Sequence, residues 1–388
     1  MSSHGLAALE RGLREPQHAT DTFRDRPIHL GVTSLDHKPL RIRLTHLDGK
    51  LPNIALMKLA AYHRAKGNEV VFTRNAQRDM FEEDYDRVYG SAIFTRSAVL
   101  AERLKTNFPG AIIGGTGTDS NRTIEEEIGL STFEFLDYSI YPTRPTKHGH
   151  VPETRSLGFV TRGCRFRCGH CVVPAKEGRP KATGTIRDIW RGGDFPKTII
   201  LLDNDFFGVD KALWQARINE IRAGDYKVSF NQGINVRVMP QEQAEAIASV
   251  KYYNNEFTTR TIYTAFDSIS DERVFRRGIE RLIAAGVRGE HIMSYMLIGY
   301  DDNESWATIF RRLAVMQEYG IRPYPMPYQS FGTAKGPNEI PFRNLKAFQK
   351  FIVRRHYHKV SWEEFLAQPE GRRRNLHEQT RSLFEDIT

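Results

Sequence analysis

Thr161-Arg162-Gly163-Cys164-Arg165-Phe166-Arg167-Cys168-Gly169-His170-Cys171 contains all three cysteines of the 388-residue chain. The stretch follows a short apolar run, residues 156–160, that reads as a strand. A loop leaving the carboxyl end of a strand is where parallel α/β sheets carry their chemistry. The C-x3-C-x2-C spacing lets one short loop wrap one compact metal centre. An odd number of cysteines crowded into eight positions is a poor disulfide framework, so a reducing compartment is expected.

Downstream of this loop, short apolar runs recur at 198–203, 227–232, 261–267, 291–298 and 322–328, with helical patterns at 210–223, 241–250, 271–285 and 304–319. With the first run they predict a partial (β/α)6 TIM-type barrel over residues 151–330, its chemistry at the carboxyl ends of the strands. Upstream, strand runs at 40–44, 69–72, 88–94 and 111–115 alternate with helical patterns at 54–66 and 98–108. That rhythm predicts a Rossmann-like parallel-sheet domain over 28–150, and the fold class is α/β. The stretch 138–153, rich in Pro, Thr and His, reads as a linker. Residues 1–27 read as a polar arm, and 331–388 as a basic helical C-terminal extension. In that extension Arg354-Arg355 and Arg372-Arg373-Arg374 suit solvated helix faces as well as a phosphate contact. Gly115-Thr116-Gly117 lacks the third glycine of a dinucleotide fingerprint, and a tight turn is expected there.

Composition agrees with a folded chain of about two to three domains, since 40% of residues are hydrophobic and 27% charged. The 56 Lys and Arg exceed the 47 Asp and Glu by 9, which favours an anionic partner, nucleic acid or a phosphorylated molecule; a basic-faced enzyme accounts for the excess equally well. The first 27 residues have no apolar signal-peptide core, and no run approaches the ~18 apolar residues of a membrane span. A cytoplasmic protein with no membrane partner is expected.

Three thiolates hold three irons of a [4Fe-4S] cluster, and with no fourth cysteine the last iron stays open to a ligand. The loop resembles the signature of the radical SAM superfamily. The resemblance implies that Cys164, Cys168 and Cys171 are the cluster ligands and catalytic centre, that the open iron binds S-adenosylmethionine (SAM), and that a donor such as flavodoxin or ferredoxin supplies electrons. One electron then cleaves SAM to methionine and a 5'-deoxyadenosyl radical, which takes a hydrogen from an unactivated position of the substrate. The competing reading is a structural zinc held by the three cysteines with His148 or His150, in a nucleic-acid-binding protein without catalysis. His170, next to Cys171, is poorly placed as that fourth ligand. A third reading is an inactive relative that binds SAM as a sensor.

The resemblance also implies SAM contacts. Asp203, Asn204 and Asp205 after the second strand would receive the amino group, with a helix N-cap as the alternative for either aspartate. Gln232, Asn235 and Asp267 would meet the ribose, Asp267 alternatively capping a helix near Ser270. Ile298 would pack on adenine, and the backbone at His170 would read its edge. The domain order is similar to radical SAM proteins with an N-terminal cobalamin-binding-type domain, with Pro52-Asn53-Ile54-Ala55-Leu56-Met57-Lys58 in the corresponding place. The Asp-x-His-x-x-Gly motif that gives cobalt a lower imidazole is absent: Asp36 and His37 are adjacent, and His46 lacks the preceding Asp. A domain serving substrate or structure is therefore expected; cobalamin, if it binds, would do so without a protein imidazole. Methyl transfer and C–H modification both fit, and nothing in the sequence identifies the substrate.

Overall fold

The computed structural model describes residues 38–130, 134–146, 148–328 and 340–368. The expected arm at 1–27 and the arginines at 372–374 lie outside the described residues. The first sheet is built from β1 (Arg41–His46), β2 (Glu69–Thr73), β3 (Arg87–Ser91) and β4 (Ile112–Gly114). All its pairings are parallel and the order is β2-β1-β3-β4. The helix Ile54–Ala65 joins β1 to β2 and starts where Asn53 Oδ1 accepts the Leu56 N–H at 3.1 Å. It buries Leu56, Met57, Leu59 and Ala60, one apolar stripe at helical spacing. The direction of winding reverses between β1 and β3, the position at which open parallel sheets form a crevice at their carboxyl ends. Beside that crevice Gly115, at φ +111°, packs so tightly that a Cβ would stand 2.2 Å from the Ala92 carbonyl oxygen. The turn expected at Gly115-Thr116-Gly117 is thus also a close backbone crossing of two loops.

The stretch expected as a linker is instead part of the packed structure. Tyr138, Ile140 and Tyr141 are buried, and β5 (Thr143–Thr146) pairs antiparallel with β6 (Gly149–Pro152). Its Pro and Thr content reads as exposed loop, but three large apolar anchors outweigh that composition.

The later strands are β7 (Ser156–Gly158), β8 (Thr161–Arg162), β9 (Lys181–Ala182), β10 (Thr198–Leu201), β11 (Lys227–Phe230), β12 (Lys251–Tyr252), β13 (Ile262–Ala265), β14 (Ile292–Ile298) and β15 (Arg322–Pro327). Two parallel sheets result, β12-β11-β10-β7 and β13-β14-β15, with β8 and β9 as a separate antiparallel pair. The six expected runs are all present; β12, two residues long, is too short to show a period in sequence. The Ile234 N–H donates to the Tyr263 carbonyl at 2.7 Å and joins the end of one sheet to the next.

Alternation along the strands divides two cores. Ile199, Leu201, Val228, Phe230, Ile262, Ile292 and Met296 pack with the helices in the larger one. Leu157 and Ile200 turn the other way, into a core they share with Ile42, Leu44, Leu56 and Met57 of the first sheet. In the C-terminal extension the helix Phe342–Val353 buries Leu345, Phe348, Phe351 and Ile352, and Trp306, Phe348 and Trp362 form one aromatic cluster. This segment is helical as expected, but one face is core, and Arg354 is half-buried rather than solvated. The chain is a mixed α/β protein with parallel sheets. No helix among the described residues is long and apolar enough to cross a membrane.

Candidate metal centre and adjoining cleft

The cysteine loop is tied at its base before it reaches the first thiol. β8 and β9 pair Thr161 with Ala182 and Arg162 with Lys181, and the Cys164 N–H donates to the Gly178 carbonyl at 3.1 Å. Glu177 closes the same neck: it takes a two-pronged contact from Arg162, at 3.0 and 2.7 Å, and accepts the Gly163 N–H at 2.9 Å. Gly163 is at φ +90°, where a Cβ would stand 2.4 Å from the Arg179 carbonyl oxygen, so only glycine fits. The Lys176 ammonium donates to the carbonyls of Thr118 and Ser120, at 2.5 and 2.9 Å, fastening the loop to the first sheet's carboxyl end.

The three cysteines are free and half-buried. Burial pushes the thiols of Cys164 and Cys171 above their ordinary pKa; Asp205 adds to this at Cys164, and neighbouring thiol charges at both. A set of thiolates here therefore requires a cation to compensate it. Among the described residues no three His, Cys, Asp or Glu side chains converge as ligands of a single ion. His148 and His150 are exposed on the β5–β6 hairpin.

Asp203 and Asp205 serve the loop, not the cleft and not a helix cap. Asp203 Oδ1 accepts from Val160 N at 3.0 Å, Thr161 N at 2.5 Å and Thr161 Oγ1 at 2.7 Å. Asp205 is buried under Arg165, receiving its N–H at 3.1 Å and its guanidinium at 2.9 and 3.0 Å. The helix Lys211–Ala223 begins after Asp210, beyond the reach of either as a cap. The sequence places these carboxylates correctly at a strand end but does not reveal that they face arginine and backbone donors from forty residues upstream.

Burial pushes Asp203 up to about 7, against hydrogen bonds from Thr161 and Val160 that favour its charged form. A carboxyl raised on folding binds its proton better in the folded state, so the chain loses stability as pH rises from the ordinary carboxylate range toward about 7. Asp203→Asn keeps an acceptor for Thr161 and removes the ionisation. Its stability relative to wild type is expected to rise between about pH 4.5 and about pH 7.5, measured by urea unfolding at both. A difference that stays constant across that interval would contradict the assignment.

A cleft of about 150 Å³ opens beside Cys168, and Asn204, Gln232, Asn235 and Asp267 line it. Four of the expected SAM contacts thus come together with one cysteine. Asp267 does not cap a helix, since Ser268 receives the Ser270 N–H. One Asp267 oxygen accepts the Leu297 N–H at 2.9 Å, and the other stands 3.9 Å from His170 Nε2. His170 lies against Tyr300, ring centroids 5.3 Å apart. Ile298 is wholly buried in the larger core and does not line the cleft. Apolar character at a strand's end led it to be read as a ligand contact, but alternation along β14 turns it toward the helices.

Other residues enter the site without a sequence signal. Arg237 lines the cleft, donates to Cys168 Sγ at 3.6 Å and pairs with Asp271 at 3.1 Å. Tyr295 also lines the cleft, and its ring stacks on Tyr263. Next to Tyr263 on β13, the Thr264 hydroxyl is buried without a hydrogen-bond partner among the described residues. His46, at the end of β1, is buried with Nδ1 3.0 Å from the Tyr141 hydroxyl, and burial lowers its pKa to about 4. His37 lies outside the described residues. The chain matches no protein-family model, and no curated protein matches it.

Proposed function

We propose that the chain is a radical SAM enzyme of the reducing cytoplasm, with a [4Fe-4S] cluster on Cys164, Cys168 and Cys171 and SAM in the adjoining cleft. In this reading β7, β10, β11 and β13–β15 are the strands of an open barrel, and the four-stranded sheet is a Rossmann-like domain in front of it. The observation that carries the reading is the donor set: three half-buried free thiols, the only ones in the chain, on one tied loop beside a polar cleft. A cluster offers its irons at separate corners, so its thiols need not converge on one point as the ligands of a single ion must.

Bound here, the cluster supplies the electron that cleaves SAM reductively to methionine and a 5'-deoxyadenosyl radical. The chain's own part is positioning. Glu177, Asp205 and Asp203 hold the loop from three sides. Of the expected acidic set, Asp267 is the one that presents a carboxylate to the cleft, and it is the acceptor suited to the ligand's ammonium or ribose hydroxyls. Asn204, Gln232 and Asn235 add amide dipoles, and the Tyr295 ring gives an apolar wall. The electron donor would be a flavodoxin or ferredoxin, and the net charge of +9 favours an anionic substrate, modified by methyl transfer or at a C–H bond. The alternative remains a zinc-stabilised nucleic-acid-binding protein.

Anaerobic reconstitution tests the reading. About four irons with sulfide per chain are expected, and SAM with a low-potential reductant should then yield 5'-deoxyadenosine. One zinc, no iron and no cleavage would favour the alternative. Cobalamin is not part of the proposal, since Tyr141 and the core take up His46. Hydroxocobalamin should separate from the protein on gel filtration; stoichiometric retention would put methyl transfer first.

A further inference from the structure

The guanidinium of Arg237 is fixed on every nitrogen. Nε donates to Asn235 Oδ1 at 3.3 Å, Nη1 to Asp271 Oδ2 at 3.1 Å, and Nη2 to Cys168 Sγ at 3.6 Å. Asn235 Oδ1 also accepts the Arg237 backbone N–H at 3.1 Å, so one oxygen sets the start of the side chain and its head. The Phe166 ring, on the cysteine loop, covers the guanidinium at 4.9 Å. Arg237 and Cys168 are 69 residues apart in sequence, on different strand ends. Held at both ends in this way, the side chain has little rotamer freedom left. Asp271 pairs with the same guanidinium, so the sulfur meets an N–H donor that is itself held in place.

We propose that Arg237 is a positioning residue that sets the reduction potential of the centre held by Cys168, through a hydrogen bond to that sulfur. The inference rests on the cluster reading above. Hydrogen bonds to ligand sulfur are among the levers that set cluster potentials, because the reduced state is the more negative and gains more from the donor. The step concerned is the uptake of one electron from a low-potential one-electron donor; no bond is made or broken and no proton moves. Arg237 makes that uptake easier through Cys168.

The experiment is a dithionite titration of reconstituted protein, followed by electron paramagnetic resonance without SAM or substrate. Arg237→Gln is expected to weaken one-electron reduction about tenfold, a downward shift of ~59 mV, at the same iron content as wild type. Arg167→Gln is the control. Arg167 is exposed one position before Cys168, and water screens its charge, so its loss should shift the potential several-fold less. Equal potentials in Arg237→Gln and wild type overturn the inference, as do equal shifts in the two variants.

Should Arg237→Gln fail to hold a cluster, wild-type protein grown on nitrogen-15 arginine decides. Its reduced cluster should show a nitrogen-15 coupling by pulsed resonance, and absence of that coupling overturns the hydrogen bond. Wild-type protein that takes up no iron and sulfide overturns the cluster reading itself, and the role of Arg237 with it.

Discussion

Alanine at any one of Cys164, Cys168 or Cys171 is expected to abolish the absorption near ~400 nm of anaerobically reconstituted protein and to reduce 5'-deoxyadenosine formation to background. The chain has no spare thiol: these three are the only cysteines, and a cluster left with two protein ligands is not retained. The loss should not come from unfolding. Each cysteine is half-buried on the loop, outside both large cores, while the neck is held by Glu177, Asp205 and the β8–β9 pair. Circular dichroism and urea midpoints of the alanine variants should therefore match wild type. A triple alanine variant that keeps a full complement of iron and sulfide would sink the assignment.

The largest effect on stability is expected at Arg312. This side chain is fully buried and donates to three carbonyls at the ends of β13 and β14: Phe266 at 3.0 Å, Asp267 at 2.9 Å and Leu297 at 2.8 Å. Its other terminal nitrogen bonds Glu304, which also accepts the Gly299 N–H. Arg312→Met would leave a buried carboxylate and three carbonyls without their donor, a loss of about 3–5 kcal/mol. Burial already pushes Glu304 up, and Arg312 opposes that shift. Without the arginine the carboxyl rises further, so the folded variant binds a proton that the unfolded chain releases. The deficit against wild type should shrink as pH falls toward the ordinary carboxylate range. Arg312→Met with Glu304→Gln should recover part of the loss. Urea unfolding of the single and double variants measures both effects, and a single-variant loss under about 1 kcal/mol would mean that water replaces the guanidinium.

Much of the fold was legible because apolar periodicity is local. The runs at 227–232 and 322–328 mark β11 and β15 to within two residues. The hairpin β5–β6 is not legible because Tyr138, Ile140 and Tyr141, just before it, anchor the chain in the core shared with the first sheet, which no window of composition shows. The site divides in the same way. Cys164, Cys168 and Cys171 announce themselves by spacing within one loop. Asp203 and Asp205 are legible as carboxylates at a strand end but their partners are not, since Thr161 and Arg165 reach them from the neighbouring strand's end. Arg237 and Glu177 carried no signal, because an arginine or a glutamate is common and only the fold brings these two to the loop. The burial of Ile298 in the larger core depends on the strand's facing direction, which a one-residue change of register would reverse.

Leu157 and Ile200 share one core with Ile42, Leu56 and Met57. Without the first sheet both residues would face water, at about 1.5–3 kcal/mol each. The two sheets are therefore expected to melt together, and the first is no cassette that could be exchanged without exposing the second. Variation is left to the loops at the strand ends, while the shared interior stays as it is.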